Sequence, residues 1–147
     1  MPHRGGFMPM KQRDFQLRQI GIIRSDLKAL HQCRPQEKEG HAKACIEIAP
    51  EYAEALHGLE PGGEILVLTW LHLAERFRLK VHPRGNPENP MRGVFATRSP
   101  HRPNPIGLHR TRILSIQWPC RLFVQPLEVI DNTPVVDIKS LLPGDHF

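Results

Sequence analysis

No apolar run in this sequence approaches the roughly 18 residues of a membrane-spanning helix. The longest extends from Ile65 to Trp70, with Leu71 beyond it. No span, and no membrane partner, is therefore expected. Met1 to Met10 holds Gly5, Gly6 and two prolines but no apolar core for a signal peptide. Cysteine is scarce: Cys33, Cys45 and Cys120 are odd in number, far apart and without a Cys-x-x-Cys pair. That excludes a disulfide framework and a zinc knuckle, and makes a reducing cytoplasm the expected location. No His-x-x-x-His pair stands beside a helical carboxylate, so no metal is expected either. Pro61-Gly62-Gly63 is too short for a dinucleotide fingerprint, and no internal repeat is present.

Acids are nearly missing from one long stretch. From Arg76 to Arg112 the sequence carries eight arginines and Lys80 against Glu88 alone. With a formal net charge of +5, this favours a polyanionic partner such as RNA, or a cradle for a carboxylate and a nucleotide. A plain solvated strand face accounts equally well for the alternate cations at Arg76, Arg78 and Lys80.

What is present in excess is proline, 15 residues, with 11 glycines. Each proline removes a backbone donor, which a helical bundle tolerates badly and a β-rich fold suffers least. The 147 residues, 39% hydrophobic and 24% charged, suit one core. The expected organisation is a flexible leader over 1–13 and a single domain over 14–147.

Strand patterns recur along that domain. Phe15 to Arg24 predicts a first strand, and Ala44, Ile46 and Ile48 alternate with polar neighbours in a second. Pro50-Glu51 with Tyr52, Ala55, Leu56 and Leu59 predicts one short helix. Ile65 to Leu71 reads as a central strand buried on both faces. Phe77, Leu79 and Val81 alternate with cations, predicting a strand with one wet face. Gly93 to Thr97 is the one strand-like piece of a long proline-rich loop. Ile113 to Ile116, Leu122 to Val124, and Val129-Ile130 with Val135-Val136 around a turn at Asp131 to Pro134 complete the set. The fold class is mainly β: a small closed or nearly closed antiparallel barrel of six to seven strands with one short helix.

Within the long loop, Pro100, Pro103 and Pro105 fix the backbone, so Arg98, Ser99, His101, Arg102 and Asn104 ride on a stiff frame. Such a frame suits the gripping of a small polar ligand. The whole run Gly93-Val-Phe-Ala-Thr-Arg-Ser-Pro-His-Arg-Pro-Asn-Pro-Ile-Gly-Leu108 resembles the signature of the TrmO-like family, also called TsaA- or YaeB-like. Further matches are Ile20-Gly-Ile-Ile-Arg-Ser25, Glu51 to Leu59, Trp70-Leu-His72 and Asp131 to Lys139, so the resemblance spans about 15 to 140.

The resemblance implies a compact antiparallel β-barrel that works as a homodimer, with S-adenosyl-L-methionine bound near the subunit interface. It implies tRNA as partner and methylation of the exocyclic N6 amine of threonylcarbamoyl-adenosine beside the anticodon. By the same resemblance the cofactor contacts are Arg34, Pro35, Gln36, His72, Leu73, Arg98, Leu108, Asp131, Asn132, Thr133 and Pro134. Arg92, His101, Arg102 and Asn104 are the candidate contacts to the RNA. Three departures from the family stand out: Cys33-Arg34-Pro35-Gln36 replaces a Pro-Arg-Gln order, Asn132 replaces a glycine, and Ser140-Leu141 replaces a Pro-Tyr after Asp-Ile-Lys. Some relatives carry a C-terminal domain beyond the position of Phe147, so a reduced or different tRNA-docking surface is expected here. Methyl transfer is an in-line displacement that needs positioning more than a covalent nucleophile. Asp131 and Asp137 are the candidates to orient an amine or take its proton, with a plain turn role weighed against each. The alternative from another class is a non-catalytic barrel that binds S-adenosyl-L-methionine or RNA.

Overall fold

Period-two burial draws the strands. In β2 (Ala44–Ile48) Ala44, Ile46 and Ile48 are buried while Cys45 and Glu47 are half-covered, which is what a strand with one face on a core requires. A computed structural model describes residues 9–26 and 42–146. The other strands are β1 (Gly21–Arg24), β3 (Glu64–Trp70), β4 (Lys80–Val81), β5 (Arg92–Gly93), β6 (Ile106–Gln117), β7 (Arg121–Gln125) and β8 (Thr133–Ser140). Six of them close an antiparallel barrel in the order β1-β2-β7-β6-β3-β8, and β4 pairs with β5 in a separate ribbon. Ile23, Ile46, Ile65, Val67, Ile113, Leu122, Val124 and Val135 fill the interior. The mainly β barrel read from the sequence is the one observed.

The short helix is a 3-10 helix, Pro50–Leu56, whose Leu56 plugs one end of the barrel. It stops before Leu59 because Gly58 takes φ +100, a conformation that ends helices. Four other elements differ from expectation. The first strand begins at Gly21, and Phe15 and Leu17 are exposed. Its ladder with β8 ends at Gly21↔Val135, immediately before a bulge opposite Leu68/Thr69 that re-aims β8. Beyond that point the β1 side of β8 has no strand partner among the described residues.

The second difference concerns Arg76 to Val81. Only Lys80–Val81 is strand, and Phe77 and Leu79 are 77% and 68% exposed. Alternation announces a face to be buried, but six strands already close the barrel and among the described residues no further sheet covers it. Next, Gly93 to Thr97 becomes a 3-10 turn over Val94–Ala96 with Val94 buried and Phe95 outward. Finally, Val129 and Ile130 are buried without pairing. They lead into a tight turn in which Thr133 donates to the Ile130 carbonyl from both N–H (3.2 Å) and hydroxyl (2.6 Å).

One charge cluster clamps the wall. Glu64 accepts from Arg110 (2.7 Å) and Arg112 (3.2 Å) across the β3–β6 ladder. Arg110 holds its carboxyl below the ordinary carboxylate value. The sign follows: a depressed folded value stabilises above the unfolded value and is lost as pH falls through the folded one. Because the group is solvent-facing, Glu64→Gln is expected to cost well under about 1 kcal/mol at pH 7. Urea melts should show that difference fade as pH falls below the ordinary glutamate range and shrink in high salt.

Candidate functional site

Strand order gathers the segments that sequence leaves apart. Trp70 at the C-terminal end of β3 pairs with Ile106 at the start of β6, and Thr69 pairs with Gly107 on one side and Val135 on the other. Three adjacent strands therefore release, at one end of the barrel, the bend after Trp70, the proline-rich loop before Ile106 and the turn before Thr133. The C-terminal end of β1 joins them. Ser25 donates its N–H to the Asp131 carboxylate (2.9 Å) and its hydroxyl to the Val129 carbonyl (2.7 Å), and Arg24 reaches the Asn132 side-chain oxygen. Asn132 sits at φ 72, which asparagine tolerates in a tight turn. Asp26 and Ala42, the described residues on either side of 27–41, adjoin this end. Arg34, Pro35 and Gln36 lie outside the described residues.

The proline-rich loop is tied down by its own polar groups. Arg102 turns inward, donating to the Thr97 carbonyl (2.9 Å) and to that of Val94, while its N–H reaches Glu75 (3.1 Å). The His101 ring accepts the Glu75 N–H (3.0 Å). Arg76 donates to the Pro103 carbonyl (2.7 Å) and the Asn104 side chain (3.1 Å) with its guanidinium 5.1 Å above the Trp70 ring. A cation over an indole in partial exposure adds about 0.5–1 kcal/mol. The Leu71 N–H closes the loop on the Pro105 carbonyl (2.8 Å). Of the candidate RNA contacts, His101, Arg102 and Asn104 thus hold the loop's shape, and Arg92 lies exposed in β5.

The candidate cofactor contacts are placed differently. Arg98 is exposed, and none of the described residues pairs with it. His72 and Leu73 stand exposed in the bend after β3, and Leu108 faces outward from β6 beside Leu68. An exposed guanidinium on the loop, two uncovered leucines and the Asp131 carboxylate, on segments that adjacent strands carry, suit a ligand with a carboxylate tail, an apolar ring and hydroxyl donors. Thr133 is buried and spent on its own turn. Asp137, one strand from Leu108 across Leu68, accepts the Ile138 N–H (2.9 Å) and pairs with Lys139 (3.3 Å). No cluster of metal ligands occurs among the described residues.

Sequence reasoning missed the floor of this end. Thr69, fully buried, meets the His109 ring with Oγ1 2.8 Å from Nε2, and Gly107 packs against both. The available signal was a threonine breaking the apolar run 65–71 and a histidine on the inward period of the strand after the prolines.

Comparison with known proteins bears on this geometry. The domain model described as tRNA-methyltransferase O N-terminal domain matches residues 22–144. A probable S-adenosyl-L-methionine-binding protein of Methanothermobacter thermautotrophicus is 42% identical over 130 residues, which cover 88% of this chain and 92% of the relative. A putative S-adenosylmethionine-dependent methyltransferase, RcsF, of Pseudomonas aeruginosa is 33% identical over 129 residues, 84% of this chain and 53% of the relative. The crystal structure of TrmO from P. aeruginosa superposes with a TM-score of 0.73 at 30% identity, covering 92% of this chain. The chain spans 58% of that structure's length.

Proposed function

This chain belongs to the family of the tRNA-methyltransferase O N-terminal domain, and on that premise we propose that it is an S-adenosyl-L-methionine-dependent tRNA methyltransferase. The acceptor is the exocyclic N6 amine of threonylcarbamoyl-adenosine beside the anticodon. One observation supports the reading: the bend at His72-Leu73, the proline-rich loop that carries Arg98, and the 131–134 turn leave adjacent strands of the barrel, and Arg98 is exposed with no partner among the described residues.

Arg98 would hold the ligand's carboxylate, Leu73 and Leu108 its base, and Asp131 its ribose hydroxyls. The bound group supplies an electrophilic methyl on a sulfonium. The chain's own contribution is position: the stiff loop and the tied turn hold their contacts without further ordering when the acceptor amine arrives. Asp131 stands at this end to orient that amine. The arginine-rich stretch from Arg76 to Arg112 supports tRNA as partner, and the uncovered Phe77, Leu79 and Phe95 support a second copy packing near the site. Sedimentation of the purified chain checks the dimer, and a monomer at micromolar concentration removes it from the proposal.

The test of function is mass spectrometry of tRNA nucleosides after incubation with the protein and labelled methyl donor. Methyl label is expected on threonylcarbamoyl-adenosine and absent from tRNA that lacks the threonylcarbamoyl group. A second reading, a binding protein without transfer, is favoured by the 42% identity to the probable S-adenosyl-L-methionine-binding protein of M. thermautotrophicus. Donor binding with no label on any nucleoside would establish it.

A further inference from the structure

Charge in this molecule is segregated along the chain. From Ala44 to Glu75 there are six glutamates and neither lysine nor arginine, directly before the arginine-rich stretch. Three of those acids, Glu51, Glu54 and Glu60, belong to the 3-10 helix and the turn after it. Under that helix, along the unpaired side of β8, lies a cleft of ≈330 Å3, within the size range of small-molecule sites. Ile20, Ile48, Leu56, Leu59 and Ile138 give it an apolar floor, and among the described residues neither lysine nor arginine lines it.

Four polar side chains meet there: Tyr52, His57, Asp137 and Ser140. Tyr52, His57 and Ser140 have no side-chain hydrogen bond within the described residues, whereas Asp137 covers the edge N–H of Ile138 (2.9 Å). Asp137 is itself one of the residues that line the cleft. Lys139 touches Asp137 at 3.3 Å, but a half-exposed pair of this kind is weak and exchangeable. Unpaired hydroxyls and a carboxylate over an apolar floor, beside a helix that carries Glu51 and Glu54 and no lysine or arginine, select by sign. Phosphate is repelled and a cation is drawn in.

We propose that this cleft is a second ligand site, which takes a small organic ammonium ion with an apolar body. The body lies on Ile20, Ile48, Leu59 and Ile138, the ammonium replaces Lys139 at Asp137, and Tyr52 or Ser140 completes its hydrogen bonds. The site stands independently of the methyl-donor reading.

The experiment is an amide NMR titration of the full chain with three probes of one shape: 2-phenylethylamine, 2-phenylethanol and phenylacetate. The amine is expected to give saturable shifts at Tyr52 to Leu59 and Asp137 to Ser140, the alcohol weaker ones and the acid none. Asp137→Asn keeps an acceptor for Ile138 and is expected to weaken the amine roughly fivefold, the size of one half-exposed ion pair. Absence of saturable shifts, equal response to phenylacetate, full affinity in Asp137→Asn, or shifts confined to His72, Arg98 and Leu108 would each overturn the proposal.

Discussion

Replacing Arg98 by alanine is expected to weaken S-adenosyl-L-methionine binding by about 1.5–3 kcal/mol, the worth of a charge-assisted hydrogen bond. In affinity that is roughly tenfold to 150-fold, read by isothermal titration. The protein's melting temperature should not move, since Arg98 is exposed and holds no other described residue in place. This separates it from Arg102, two of whose bonds bind the loop to itself. Arg98→Lys should recover part of the loss, because an ammonium keeps the charge but not the planar fork. Unchanged affinity in Arg98→Ala would move the carboxylate contact to another residue, and a fall in melting temperature would mean that the loop depends on this guanidinium.

Much of the barrel was legible because its strands carry their burial in their pattern. Ala44, Ile46 and Ile48 point one way, and Ile65 to Leu68 reads apolar on both faces because the strand has a neighbour on either side and a covered outer face at Leu66. What pattern does not contain is whether a partner exists. Phe77 and Leu79 alternate as correctly as Ile46 and Ile48, yet the barrel closes without them. Phe15 and Leu17 continue the alternation of β1, but the bulge in β8 withdraws the edge they would pair with. The same limit applies to the site. Its loops could be suspected singly from stiffness and charge, but their meeting depends on β3 lying between β6 and β8, a non-consecutive order set by closure. The Thr69–His109 pair was illegible for a related reason. One polar residue in an apolar run marks a place where a partner is needed but does not name it until the neighbouring strand is known.

That pair makes Gly107 the position where a single added carbon matters most. A Cβ there would lie 2.4 Å from Thr69 Oγ1 and 2.6 Å from His109 Nε2, well inside contact distance. Thr69 is fully buried and held by the histidine, so the hydroxyl cannot swing away without breaking the bond that satisfies it. Gly107→Ala is therefore expected to destabilise by about 1–3 kcal/mol, the usual cost of overpacking a tight core, seen as a drop of several degrees in melting temperature. Thr69→Ala removes the nearer obstacle, so Gly107→Ala should cost less in that background than in the parent, a coupling that a double-mutant cycle measures directly. Because Leu108 is the next residue and faces the proposed donor site, the shifted strand should also weaken donor binding. If Gly107→Ala melts like the parent, the ring and hydroxyl yield freely, and the barrel end beneath the arginine loop is not the rigid floor on which that loop's positioning role depends.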